Sequence, residues 1–264
     1  GQSTLFRANI LGPGNNDLND NYDRDTVFYD AGGRNEAAYK AQIATAKVDY
    51  DADFATLTSI TSWADTEGRS RGDIDGGNLV TGPGFIPFPS DTQDSIDLNQ
   101  FTQEVRLASN SNGPFEWQVG GFYFDSDFDV TTVGFDFPPP VTVNHTNESW
   151  AVFGQVSSQV TDALKLTGGL RYTEDDKDFV VVAGAAPQFT TVSDERLSWD
   201  LAAFYDLSGD ASFYARVASG FRAPTIQGRD VAFGSAPSVA TSEKIMSYEA
   251  GLKSELADRP IRLN

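Results

Sequence analysis

Cysteine is absent from this chain, and histidine occurs once, as His145. Without cysteine there can be no disulfide framework, thiolate metal site or cysteine nucleophile. A single histidine excludes a multi-histidine metal centre. Positive charge is scarce: 19 Lys and Arg stand against 38 Asp and Glu in 264 residues, a formal net charge of −19. That balance argues against nucleic acid as a partner, because phosphate binding needs clustered positive charge. No apolar run approaches the ~18 residues of a membrane-spanning helix. The N-terminal "GQSTLFRANILGPG" lacks the charged and apolar regions of a signal peptide. G-x-S-x-G, Walker and dinucleotide-binding motifs are missing as well.

What is present is alternation. In 164–173, Leu164, Leu166, Gly168, Leu170 and Tyr172 share one parity, and Lys165, Thr167, Gly169, Arg171 and Thr173 share the other. In 244–256, Met246, Tyr248, Ala250 and Leu252 oppose Glu249 and Lys253. Successive side chains of a strand point to opposite faces, so each such strand has one apolar and one polar wall. Strands are expected at roughly 39–50, 54–64, 97–109, 115–125, 148–160, 164–174, 196–206, 211–222 and 244–256, with a tenth starting at Ile261. Residues 54–64 resist assignment, because Leu57 and Ile60 have opposite parity.

Connections alternate in length. "DAD" (51–53), "NSNGP" (110–114), "TDA" (161–163), "LSGD" (207–210) and "ADRP" (257–260) are tight turns rich in turn-forming residues. Long loops are expected over roughly 65–96, 126–147, 175–195 and 223–243. A soluble sandwich rarely keeps such an order. An outer-membrane barrel does, with short periplasmic turns and long extracellular loops. Aromatics sit near the ends of the apolar walls: Tyr50, Trp63, Trp117, Tyr123, Trp150, Tyr172, Tyr205, Phe213, Phe221 and Tyr248. Barrels place such girdles at both membrane interfaces. Charges keep to the polar wall, where Glu104, Arg106, Arg171, Arg216, Glu249 and Lys253 are expected to face the lumen. The expected fold is all-β, an antiparallel up-and-down transmembrane β-barrel.

The stretch "SFYARVASGFRAPTIQGR" (212–229) resembles the barrel of TonB-dependent outer-membrane receptors, through Tyr214-Ala215 and Gly220-Phe221-Arg222-Ala223-Pro224. "SYEAGLKSEL" (247–256), "QFTQEVRLAS" (100–109), "FEWQVGGFYF" (115–124), "ATLTSITSWAD" (55–65) and residues 150–177 are similar to further strands of that family in the same order. The resemblance implies a barrel of about 22 strands closed around a plug. Against that pattern, residues 1–38 read as an irregular lead and 39–264 as about ten strands of the barrel, an internal piece without the plug. It further implies import of a scarce nutrient complex, most readily a ferric siderophore, driven through the TonB complex acting on the plug. Outer-membrane lipid and lipopolysaccharide would surround the barrel. No catalysis, cofactor or resident metal is implied.

Two alternatives stay open: a complete ten-stranded outer-membrane hydrolase, in which His145 would need a carboxylate partner, and a soluble β-rich binding protein. Arg222 and Arg229 stand out in the one long loop that is not acidic. They either attract an anionic substrate or, for Arg222 above all, anchor a strand end. Phe85 and Phe88 in "GPGFIPFPSD" (82–91) form either an aromatic lip for ligand or a small cluster that holds the loop together. "DLNDNYDRD" (17–25) and "GDIDGGN" (72–78) look calcium-like but lack the glycine and glutamate of an EF-hand loop, so no metal site is assigned.

Overall fold

The computed structural model describes residues 36–73, 91–110, 113–134, 139–208, 211–256 and 261–263. Most of them run in long antiparallel strands. β1 (Glu36–Asp51), β2 (Ala55–Asp73), β3 (Asp91–Ser109), β4 (Phe115–Val133), β5 (Val141–Gln159), β6 (Leu164–Ala183), β7 (Phe189–Ser208) and β8 (Ala211–Arg222) each pair with the next. Short strands β9 (Thr225–Gln227) and β10 (Ser238–Ala240) flank a 3-10 helix over Arg229–Phe233. β11 (Glu243–Leu256) then pairs with β8, and β12 (Ile261–Leu263) with β11. The ten-stranded sheet has the order β1-β2-β3-β4-β5-β6-β7-β8-β11-β12, so the chain meanders up and down without a crossover. The expected ten strands are all there. The irregular lead over 1–38 falls outside the described residues as far as residue 35, as does the first calcium-like stretch.

Tight turns set the register at what we call the lower end of the sheet. Between β1 and β2, Asp53 adopts φ 58°, and its N–H donates to Asp51 Oδ1 (3.1 Å). Aspartate tolerates this left-handed conformation because its short polar side chain can bond locally. Asn110, from the next turn, donates to the same carboxylate at 2.6 Å and ties the two turns together. Thr161 Oγ1 accepts from the backbone of Leu164 (3.0 Å) and so closes the 161–163 turn.

Register carries the faces across the sheet. Val48, Ser59, Val105, Gly121, Val152, Tyr172 and Leu197 lie side by side on one face. Asp49, Thr58, Arg106, Gly120, Phe153, Arg171 and Ser198 lie on the other. Leu57 belongs to the first face and Ile60 to the second, which settles the strand whose parity was ambiguous. Gln103 stands on the apolar face, and it does not stand there unpaired. It donates to Ser59 Oγ (3.0 Å) and accepts from Thr61 Oγ1, so its amide is satisfied within the face.

The expected loop lengths need correction. The spans 126–147 and 175–195 are mostly strand: β4 and β5 are joined by 134–140, and β6 and β7 by 184–188, where Gly184 turns at φ 84°. Much of 65–96 is likewise strand in β2 and β3; residues 74–90, with Phe85 and Phe88, lie outside the described residues. β6 has 20 residues, about 65 Å at 3.3 Å per residue, whereas about 9–11 residues span a bilayer. The physical reason is an inversion of polarity. Below the row Tyr123–Trp150, the apolar residues share the face of Val105 and Leu170. That row continues into Glu174 and Glu195, and above it the same face carries Asp125, Asp127, Asp129, Glu148 and Asp176, while Phe128, Val130, Val143, Phe179 and Val181 stand on the opposite face. The ladder continues through the switch, but the apolar phase does not. Sequence patterning therefore loses the strand where the phase changes.

Below the switch, the apolar face is bare. Leu170 is 58 % exposed, Leu201 60 % and Tyr248 75 %. A soluble fold does not leave a continuous apolar wall of this extent in water. Trp150 and Tyr172, with ring centroids 5.6 Å apart, and Phe101 and Tyr123, 6.3 Å apart, edge that wall at its top.

Candidate functional site

Phe179 is the largest fully buried side chain described, at 0 % exposure. It sits on the polar-parity face above the switch, among Val141, Val143 and Val181 of β5 and β6. Its cover comes from far along the chain. The 223–242 connection folds back over this face and inserts Ile226 and Val231 into the same cluster. Gly228 presses against the Phe179 ring so closely that a Cβ there would lie 2.1 Å from it. Phe233 rests on Gly134 in the same manner, at 2.8 Å. Glycine is needed at both places because backbone and ring approach without room for a side chain.

Polar contacts fix the edges of the connection. Arg229 Nη2 lies 3.6 Å from Asp94 Oδ2 of β3, and its guanidinium stacks over Phe233 at 5.2 Å. Arg196 of β7 donates to Ser242 Oγ (3.2 Å). Gly234 ends the 3-10 helix at φ 80°, its N–H donating to the Val231 carbonyl. The connection expected as an open loop with two arginines is thus seated on the wall, held by an apolar plug and two charged contacts.

The sequence-derived site residues separate. Arg229 belongs to the seated connection, and its side chain remains 46 % exposed. Arg222 lies opposite Glu243 at the end of β8 and is exposed; it makes no ion pair with a described residue. Glu104, Arg106, Arg171, Arg216, Glu249 and Lys253 share one face by register. They are locally compensated. Arg106 pairs with Glu104 (3.3 Å) and Arg216 with Asp200 (3.2 Å). Tyr214 donates to Glu249 (3.0 Å), and Lys253 lies over the Tyr214 ring at 5.2 Å. Arg171 reaches Phe122 and Phe153, each at 5.6 Å. Asp94, Phe179, Ile226 and Val231 were not singled out from sequence. For Phe179, Ile226 and Val231 the only signal was an apolar residue inside a supposed loop, and Asp94 was one acidic residue among several in another.

His145 stacks flat on Phe128 (4.7 Å, 2°) and meets the edge of Phe179 at 5.0 Å. Its ring forms no hydrogen bond with a described carboxylate, so it lacks the orienting partner a catalytic base needs. Burial pulls its pKa below the ordinary value of 6.5. The neutral ring is therefore the form that packs. Its contribution is complete above pH 6.5 and is lost as pH falls below that value, since the unfolded chain then binds more protons. His145→Phe should flatten the pH dependence of thermal unfolding between neutral and mildly acidic pH; an unchanged slope would assign that dependence elsewhere.

Residues 2–264 match the family model described as TonB dependent receptor-like, beta-barrel. The chain belongs to this TonB-dependent receptor β-barrel family. Its place is accordingly the bacterial outer membrane, and its fold is a stretch of that barrel's wall. The pesticin receptor of Yersinia pestis is 24 % identical over 168 residues, covering 61 % of the chain and 25 % of that receptor. The crystal structure of the ferric yersiniabactin uptake receptor FyuA from Yersinia pestis superposes with a TM-score of 0.73 at 20 % identity, over 87 % of the chain and 36 % of the receptor. The siderophore receptor PiuA from Acinetobacter baumannii gives 0.67 at 15 %, over 85 % and 39 %. The chain thus spans a quarter to two-fifths of the length of these receptors.

Proposed function

We propose that the chain forms part of the wall of an outer-membrane receptor that binds a scarce nutrient complex and imports it with energy transmitted by TonB through a plug domain. The apolar face between the aromatic rows meets lipid, and the polar face lines the lumen. The connections at the upper end face outward, the tight turns the periplasm. Ferric siderophores are the substrate class, in keeping with FyuA as a ferric yersiniabactin uptake receptor and PiuA as a siderophore receptor. The barrel supplies walls and contacts rather than chemistry.

The observation that carries the substrate reading is Arg229. In a chain of net charge −19, it is a cation on the seated connection, which this reading sets at the mouth. One nitrogen faces Asp94 at 3.6 Å, longer than a good charge-assisted bond. Several of its donors remain for a carboxylate, catecholate or hydroxamate oxygen. Arg229→Ala in the full-length receptor should weaken binding of an anionic ferric siderophore about tenfold or more, the usual worth of a charge-assisted bond. Barrel folding, read from heat-modifiable gel mobility, should not change. Uptake of radiolabelled iron should stop in a strain lacking TonB. Unaltered affinity would remove Arg229 from the site, and TonB-independent uptake would sink the transport mechanism.

A further inference from the structure

Several ion pairs on the polar face join partners on one strand or on neighbouring strands. Arg196 and Asp194 meet at 3.0 Å, Arg216 and Asp200 at 3.2 Å, and Arg106 and Glu104 at 3.3 Å. Arg229 and Asp94 differ. They come from the 223–242 connection and from β3, and they stop at 3.6 Å. A good charge-assisted bond lies at about 2.7–2.9 Å. The gap has a cause on the Asp94 side. Asp94 Oδ1 accepts from Thr132 Oγ1 at 2.6 Å, and Thr132 is buried. The carboxylate is therefore pinned to β4, with Oδ2 turned to Arg229.

Arg229 does not need that carboxylate for its position. Its guanidinium lies over the Phe233 ring at 5.2 Å, and Phe233 rests on Gly134. The 3-10 helix that carries both is seated by Val231 in the apolar cluster. A partly exposed pair adds little to that seat. What remains is a loosely held carboxylate, partly open to solvent, facing the cation assigned to ligand.

We propose that Asp94 is an internal occupant of the Arg229 site: its carboxylate stands where an anionic ligand oxygen binds, and the ligand must displace it. The inference rests on Arg229 binding an anionic ligand. A contact that has to open before ligand enters lowers the apparent affinity in proportion to the fraction of molecules in which it is open. That cost is the same for every anion. Weakly bound inorganic anions are thereby kept off the site, while a chelate with several negative oxygens still saturates it. Asp94 acts through Arg229, as a selectivity device rather than a ligand contact.

Binding of the iron(III) complex of a tris-catechol siderophore to the full-length receptor, read by quenching of tryptophan fluorescence, tests it. The proteins compared are the wild type, Asp94→Asn, Arg229→Ala and the double variant. Asp94→Asn keeps the shape and an oxygen for Thr132 while removing the competing charge. It should tighten binding about threefold to fivefold, the equilibrium worth of a partly exposed ion pair. Most of that gain should be lost in the Arg229→Ala background, because the competition acts through Arg229. A spin label at Ser235→Cys should stay restricted in Asp94→Asn, since the seat is apolar. Equal or weaker binding by Asp94→Asn, alongside the loss expected for Arg229→Ala, would overturn the internal occupant and leave Arg229 as an anion site. No effect of either substitution, or no saturable binding by any of these proteins, would end both readings. An undiminished gain in the Arg229→Ala background would mean that Asp94 repels the ligand directly, and a mobile label would mean that the pair is a structural tie; either result overturns the proposal.

Discussion

Phe179→Ala should release the 223–242 connection from the wall while leaving the barrel folded. The ring is fully buried, covers Gly228 and meets His145 edge-on. Removing a buried phenylalanine typically costs about 3–5 kcal/mol. Here the loss falls on a local contact, because Ile226 and Val231 pack into this cluster. The remaining ties are the Phe233 ring on Gly134, the 3.6 Å Arg229–Asp94 contact and the Arg196–Ser242 bond. A partly exposed ion pair contributes about 1 kcal/mol or less and a single hydrogen bond a similar amount, too little to hold the connection alone. Local opening is therefore expected before global unfolding. The chain has no cysteine, so a spin label at Ser235→Cys reports the connection cleanly. Its spectrum should move from restricted to mobile in Phe179→Ala, and again in Gly228→Val, which overfills the same contact. Siderophore affinity should fall with it, because Arg229 loses its placement. An unchanged label spectrum in both variants would show that the seat does not depend on Phe179.

Leu201→Arg should destabilise the receptor by about 2–4 kcal/mol, the cost of a cation on the lipid face at mid-membrane. Leu201 is 60 % exposed and lies midway between Leu197 and Tyr205 on β7. The same charge at Ser247, on the opposite face and exposed, should stay within about 0.5 kcal/mol, as surface substitutions usually do. Urea unfolding in phospholipid vesicles measures both. Equal, small effects would mean that the apolar face does not meet lipid. The pair thus tests the assignment of inside and outside on which the transport reading depends.

Much of this wall was legible before any coordinates. Leu170 and Arg171 announce their two faces by adjacency alone, and the aromatic residues expected at the wall's ends all fall on the apolar face. The fully described tight turns, at 51–53 and 161–163, fell where Asp and Thr cluster. The upper halves of the strands were not legible. From Asp125 to Val133, the apolar residues change face, so a reader following one hydrophobic phase sees a strand end and a loop begin. Hydrogen bonding is indifferent to that phase, and the ladder runs on.

The candidate site divides in the same way. Alternation is a local property, fixed by the two-residue period of an extended chain, so the sequence by itself determined the fold class, the faces and the family likeness. The seating of the 223–242 connection is not local. Ile226 and Val231 acquire meaning only when Phe179, about 50 residues earlier, stands beneath them. Arg229 likewise acquires a position only through Asp94, more than 130 residues away. No periodicity encodes those pairs. They follow from which strands the register brings together and from which face remains apolar above the membrane, and that only the tertiary structure decided.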